Sequence, residues 1–223
     1  MNNKLSRKDR ERAAREQYII DAAEQVVQQH GFEKATMDEI AEKAEVGKGT
    51  LYLHFDNKSS IYLAICKRGS TLLNQRLSKV ITSEITGLEM IKELGQAYFS
   101  FIQTNPLYFN AFTYYESLFD ENSIDDNEIA QQCEENAAEA MTYIVRAIQI
   151  GMQDKSIESS IDPRELGLII WGASKGVMQM SHLRQRGRHS KMFENIEFNI
   201  ESLVHGFIEL VVNGMKNMTN SQN

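Results

Sequence analysis

The sequence predicts an all-α fold, and three observations predict it. Long segments repeat apolar residues with the 3.6-residue period of a helix, while runs that alternate apolar and polar in the manner of a half-buried strand are few. Only two prolines, Pro106 and Pro163, interrupt the 223 residues. Hydrophobic residues make up 42% of the chain, ample for a buried core, yet no apolar run approaches the ~18 residues of a membrane span.

Composition narrows the surroundings. The first residues, MNNKLSRKDRER, are charged with no apolar stretch behind them, so no secretory signal is expected there. The two cysteines, Cys66 and Cys133, are far apart in sequence and suggest no disulfide framework, which fits a reducing cytoplasm. Net charge is −7, but it is unevenly spread. Residues 1–70 hold 12 Lys/Arg against 11 Asp/Glu, and residues 71–223 hold 12 against 20. Six basic side chains (Lys4, Arg7, Lys8, Arg10, Arg12, Arg15) and two acidic ones fall in residues 1–15. A basic arm on an acidic body can steer one end of a molecule toward phosphate; an ordinary solvated tail has the same composition.

The N-terminal elements follow in order. A first helix is expected from about Arg10 to His30, with Ile19, Ala22, Ala23, Val26 and Val27 on one stripe. Gly31 supplies its stop, and Phe32 follows as a core anchor. Thr-Met-Asp-Glu at 36–39 reads as a capping box that starts a second, short helix ending near Glu45, with Ile40, Ala41 and Ala44 inward. In the segment 46–55 (VGKGTLYLHF), Val46, Leu51 and Phe55 are spaced to pack inward. That leaves Lys48, Gly49, Thr50, Tyr52 and His54 on other faces. Small and hydrogen-bonding residues at the start of a short helix suit close approach to the major groove. Asp56 or Asn57 caps a fourth helix, with Lys58 in its first turn and Ile61, Tyr62 and Ile65 continuing it.

These residues carry a specific resemblance. Residues 14–65 resemble the DNA-binding domain of the tetracycline-repressor (TetR/AcrR) family, through T-x-x-x-I-A at Thr36–Ala41, K-G-T-L-Y-x-H-F at Lys48–Phe55 and N-K at Asn57–Lys58. Several matches in order over about fifty residues are more specific than any one short motif. The resemblance implies a helix-turn-helix head and assigns roles singly. Thr36, Tyr52, His54 and Lys58 would meet phosphates. Lys48 would reach base edges or phosphate, Gly49 would allow close approach, and Thr50 would contact phosphate or base. Phosphate contacts fix register while base contacts specify, so discrimination would fall to Lys48, Gly49, Thr50 and, after them, Tyr52. Bland readings stand beside these: Tyr52 as a packing residue, His54 as a surface or capping histidine, Met37 as helix packing rather than a contact to a thymine methyl. Two positions depart from the family pattern. Glu45 stands where Gly is usual, and a positive φ there would cost it about 1 kcal/mol more than Gly. Gly47 stands where Ser or a similar cap is common, and is a weaker cap.

Beyond residue 70 the sequence gives helices. Leu88, Ile91, Leu94, Tyr98, Phe101 and Ile102 form a stripe that ends at Asn105–Pro106. Residues 107–119 are unusually aromatic, with six Phe or Tyr in thirteen. An acidic loop at 120–126 precedes a long helix over about 127–153, with Ala137, Met141, Ile144, Val145 and Ile148 inward. Asp162–Pro163 begins another helix to about Gln185, within which Gly172-Ala-Ser-Lys-Gly176 permits close helix contact. The basic stretch 184–191 reads as a solvated loop or a second DNA patch. A last helix over about 197–214 places Ile200, Leu203, Val204, Phe207, Ile208, Val211 and Val212 on a wide apolar face.

For this half the resemblance is architectural. It implies that the last two long helices pair two subunits in a four-helix interface, for which Gly172, Gly176, Leu203, Phe207 and Val211 are candidates. It implies that central helices enclose an effector pocket, for which Tyr98, Phe101, Phe109, Phe112, Tyr115, Trp171 and Met178 are candidates. Aromatic residues at helical spacing are also plain core; density and tyrosine hydroxyls favour a pocket, since ligand sites are apolar with a few polar handles.

No dinucleotide, Walker, zincin or nucleophile-elbow motif is present, so no cofactor and no enzyme activity are expected. His182, His189 and Cys133 could hold a metal only if the fold gathered them. A nonspecific DNA-packaging protein is disfavoured by the acidic body. The expectation is an all-α chain with an N-terminal three-helix helix-turn-helix domain (1–70, with a basic arm) and a larger C-terminal helical ligand-binding and dimerisation domain (71–223). Its partners would be double-stranded DNA at a palindromic operator, a small, largely apolar effector and a second copy of itself, with no membrane.

Overall fold

Helix α1 (Arg7–His30) begins three residues earlier than the expected start at Arg10, because the polar residues at its head cap it. Ser6 Oγ accepts from the Asp9 amide (3.2 Å), the Asp9 carboxylate accepts from the Ser6 amide (3.2 Å), and Arg7 pairs with Glu11 one turn on. Residues 7–15 are therefore helical rather than an extended arm. Gly31 ends the helix at φ 78, in the region that favours glycine, with its amide bonded to the Val27 carbonyl. The computed structural model describes residues 6–117, 127–185, 191, 194 and 199–216. Lys4, His189, the acidic loop 120–126 and residues 186–190 of the basic stretch lie outside the described residues.

The remaining elements are all helical among the described residues: α2 (Met37–Lys43), α3 (Lys48–Tyr52), α4 (Lys58–Ile81), α5 (Gly87–Thr104), α6 (Pro106–Ser117), α7 (Glu128–Asp154), α8 (Pro163–Gln185) and α9 (Ile200–Lys216). Short polar residues start them. Asn57 Oδ1 accepts from the Ser60 amide at the head of α4, and Asp162 Oδ1 accepts from the Arg164 amide before α8. No helix among the described residues is long and apolar enough to cross a membrane.

The helices pack as two units, Met1–Thr71 with Asn105–Asn136 and Leu72–Thr104 with Ala137–Asn223. In the first, Ile19, Ile20, Ala23 and Val26 of α1 are buried together with Ile40 and Ala41 of α2, Leu51 of α3, Phe55, and Ile61 and Ile65 of α4. Helix α6 belongs to this unit. Its Tyr114 ring joins Phe32 and Tyr62, with centroids 4.7 and 5.0 Å away. Cys66 and Cys133, on α4 and α7, are buried free thiols. The Cys133 sulfur lies 3.7 Å from the Leu63 carbonyl, and its hydrogen bond to Cys66, followed by burial, pushes the Cys66 thiol up, so that it stays protonated.

In the second unit, α5 starts on the turn that follows α7. The Gly87 amide donates to Asp154 Oδ2 (2.8 Å) and the Leu88 amide to Ser156 Oγ (3.0 Å). The chain crossing is so close that a Cβ on Gly87 would stand 2.0 Å from the Gly151 nitrogen. Phe99, Phe101 and Ile102 of α5 and Ile148 of α7 are fully buried.

Candidate functional site

The N-terminal surface is built by caps and a turn. Thr36 closes the α2 capping box: its hydroxyl donates to Glu39 Oε2 (2.8 Å) and accepts from the Glu39 amide (3.2 Å). The Thr36 hydroxyl and then the Thr36 amide (2.9 Å), both donating to this carboxylate, hold the Glu39 carboxyl below its ordinary range. Helix α2 closes at Ala44, and the chain turns through Glu45 at φ 49, with the Val46 amide bonded back to the Ala41 carbonyl. The departure noted at Glu45 is thus a real left-handed residue. Glu45→Gly should stabilise the protein by about 0.5–1 kcal/mol, the left-handed penalty less the added freedom of the unfolded chain. Urea denaturation checks this, and a loss of stability would show that the turn carries no strain.

Helix α3 begins on Gly47, whose backbone is extended and which offers no side-chain cap. Leu51 and Phe55 are buried at 0% and 2% exposure and pin the helix inward. That fixes the opposite face. Lys48 and Gly49 are exposed, Thr50 is half-buried, and Tyr52 is 50% and Leu53 77% exposed. A Cβ on Gly49 would meet nothing within 4 Å, so no neighbour in the chain demands glycine there. Lys48 Nζ pairs with Asp38 Oδ2 at 2.7 Å, and that carboxylate raises the lysine's pKa. Both partners are about two-thirds exposed, so the pair holds little energy and opens readily.

The other residues expected at this surface sit differently. His54 is half-buried, with Nδ1 enclosed and without a hydrogen-bond partner. Lys58 points back into the chain: Nζ donates to the Phe32 and Glu33 carbonyls (2.8 and 3.0 Å) and lies 4.7 Å over the Phe32 ring. It anchors the loop before α2. Leu53, the most exposed apolar residue here, and Asp38, the counter-charge of Lys48, were not singled out by the sequence; the helical register of α3 opposite Leu51 and Phe55 was the available signal.

In the second unit a cavity of about 70 Å³ lies among α4, α5, α7, α8 and α9. Leu73, Leu77, Ile91, Leu94, Ile144, Ile208 and Val212 give it an apolar wall, and Tyr98, Trp171, Ser174 and Lys175 are also among its lining residues. Of the residues expected to form a pocket, Tyr98 and Trp171 line this cavity. Phe101 is buried under the Arg76 guanidinium, 5.0 Å from its ring. Phe109, Phe112 and Tyr115 belong to the first unit, and Met178 is buried on α8. Leu73 and Leu77, which also line it, lie on α4 beyond the Ile61–Ile65 segment that predicts the helix, and their i, i+4 spacing is the sequence signal for them.

Of the residues expected at a dimer face, Phe207 and Val211 also line the cavity, and Phe207 packs edge-on to Phe99 at 5.8 Å. Gly172, Gly176 and Leu203 lie toward the outside, the two glycines facing open space. Near them stand three large apolar residues the sequence did not single out: Leu168 and Ile169 on α8, and Leu210 on α9 at 73% exposure.

A family model described as bacterial regulatory proteins, tetR family, matches residues 19–65, the span that holds α2, α3 and the Glu45 turn. Residues 19–65 are thus similar to the tetR family of bacterial regulatory proteins. Among relatives of the chain, the HTH-type transcriptional activator FasR of Mycolicibacterium smegmatis is 30% identical over 143 residues, 64% of this chain and 60% of that protein. The fatty acid metabolism regulator protein of Bacillus subtilis is 31% identical over 84 residues, 38% of this chain and 43% of that protein. The chain thus matches less than two-thirds of the length of either. The fold is shared with the transcriptional regulator FadR from Bacillus subtilis, solved in complex with stearoyl-CoA, at a TM-score of 0.67 and 21% identity over 89% of this chain and 98% of that one. The helix-turn-helix of this fold lies at α2–α3, within the matched residues.

Proposed function

We propose that the protein is a homodimeric transcriptional repressor, released from a palindromic operator by a small, largely apolar effector. The observation that carries the DNA-binding reading is the outer face of α3. It presents a cation, an unhindered glycine, a hydroxyl and an exposed tyrosine in one turn, none of which the core requires. Residues 1–70 would read DNA and residues 71–223 would bind effector and partner. Lys48, Gly49 and Thr50 would approach base edges in the major groove, while Tyr52, with Thr36 and His54, would set register on the backbone.

Dimerisation is supported by α8 and α9. Leu168, Ile169 and Gly172, with Leu210, leave apolar and small residues exposed along both helices, and an exposed apolar stripe of this kind marks an interaction surface. Two heads in successive major grooves would meet half-sites about one helical turn apart.

The effector reading rests on the cavity. Its 70 Å³ is about half the ~150 Å³ that holds a benzene ring, so any larger ligand must part its walls. The B. subtilis structure with stearoyl-CoA makes a fatty acyl chain the first class to test here. A ligand that fits only the parted walls would draw the population toward that arrangement. Helix α4 supplies Leu73 and Leu77 to the cavity and Arg68 to the hold on α1, which gives the change a route to the head.

The test is selection of duplexes from a random-sequence library by the full chain, followed by affinity measurement at one fixed salt concentration. A specific regulator should prefer the selected duplex by about 10³-fold or more over random DNA, protect two symmetric half-sites, and sediment as a dimer at micromolar concentration. Equal affinity for both duplexes would mean packaging rather than regulation.

A further inference from the structure

The first unit contains a polar knot that joins three of its helices, α1, α4 and α6. Arg68, on α4, is 17% exposed and spreads its guanidinium along α1. Nη1 meets Asp21 Oδ1 at 2.6 Å and Glu24 Oε1 at 3.2 Å, and Nη2 donates to the Gln17 carbonyl and side-chain oxygens at 3.0 and 2.8 Å. Residues 17, 21 and 24 are successive turns of one helix face. The third member comes from α6. Tyr108 OH donates to Glu24 Oε1 at 3.0 Å, and the Tyr108 ring lies so close to Gly69 of α4 that a Cβ there would stand 2.6–2.8 Å from ring and Cβ atoms. Burial raises Glu24 against the lowering by Arg68, and burial, then Glu24, pushes the Tyr108 phenol up to about 12.

Three helices could be joined more cheaply by apolar side chains. Burying a carboxylate, a guanidinium and a phenol forfeits hydration, and what the arrangement gains is a single register. Apolar contacts tolerate a slide of an ångström; a carboxylate shared between a guanidinium and a phenol does not. The helix held in register is α1, which carries the apolar stripe against which α2 and α3 pack.

We propose that Tyr108 is a positioning residue for DNA recognition. Through Glu24 and Arg68 it fixes α1 on α4, and so fixes where Lys48–Tyr52 is presented. This rests on the DNA-binding reading above. It makes α6, outside the helix-turn-helix, a determinant of operator affinity.

The test uses the full chain with the library-selected duplex, a random duplex, and amide hydrogen exchange. Tyr108→Phe keeps the ring on Gly69 and removes only the hydroxyl. It should fold, lose about tenfold in affinity for the selected duplex with random-duplex affinity unchanged, and speed exchange in α1–α3 but not in α8 or α9. Gly69→Ala, which must displace the Tyr108 ring, should reproduce both effects with the hydroxyl present. A purely structural hydroxyl would lower the melting temperature while the folded protein kept its specific affinity. Wild-type affinity and wild-type exchange in folded Tyr108→Phe would overturn the proposal, and so would wild-type behaviour of Gly69→Ala. A wild-type chain that selects no duplex would instead overturn the DNA-binding reading, and the positioning role with it.

Discussion

Gly49→Leu should leave the free protein at least as stable as the parent and abolish specific DNA binding. The two effects have separate origins. In the free chain a Cβ at 49 meets nothing within 4 Å, and leucine is a better helix former than glycine by about 0.8 kcal/mol. Thermal stability should therefore hold or rise slightly. Against a major groove the same side chain stands where bases must come close. It would hold off Lys48 and Thr50 on either side, whose contacts to bases are worth ~1–3 kcal/mol each when well formed. Affinity for the selected duplex should fall about a hundredfold or more. Electrophoretic mobility shift and a thermal melt on the same preparation check both halves. A folded Gly49→Leu protein with undiminished specific affinity would remove α3 as the reading element.

Gly87→Ala should have the largest effect on folding. Its Cβ would lie 2.0 Å from the Gly151 nitrogen, 2.3 Å from its Cα and 2.5 Å from the Ala147 carbonyl oxygen. All three are backbone atoms of α7, so no rotamer change relieves the overlap. The start of α5 must move off α7 and give up the bonds to Asp154 and Ser156. Overpacking of buried sites costs typically 1–3 kcal/mol, and this site stands at or above the upper end. A loss of about 3 kcal/mol corresponds to a melting temperature lower by about 10 °C for a chain of this size. Gly49→Ala, which adds its Cβ to open space, is the control and should melt at or slightly above the parent. If Gly87→Ala melted with the parent, the close crossing of α5 and α7 would be wrong.

What the sequence made legible was local. The Thr36–Glu39 capping box, the Gly31 stop, the Asp162–Pro163 start and the Glu45 turn all depend on residues within four positions of one another, and each appears where its chemistry requires. Of the inward set that followed from spacing, Leu51 and Phe55 are buried and Val46 is half-buried, and the outer face of α3 follows from the first two. Long-range partners left no such trace. Tyr108 meets Glu24 across 84 positions, and Tyr114 meets Ser59 across 55. Both read in sequence only as members of an aromatic run. Lys58 shows a different difficulty: the resemblance implied a phosphate contact, and in the folded chain its ammonium is held by the Phe32 and Glu33 carbonyls, 26 and 25 positions away. On α9 the apolar face is wide enough to serve two purposes. Periodicity could not tell Phe207 and Val211, which line the cavity, from Leu210, which faces out.

The first unit is discontinuous in the chain, residues up to Thr71 being completed by Asn105–Asn136. This has a consequence for synthesis. The helices of the head leave the ribosome first, yet Tyr108, Tyr114 and Cys133 arrive several seconds later at ~5–20 residues per second. Until then, the flanks of Phe32, Tyr62 and Cys66 lack their cover. The nascent head must wait, partly dressed, while α5 of the other unit is translated between its two halves. A translational pause placed just after the α4 codons would lengthen that wait, and one placed after residue 136 would not.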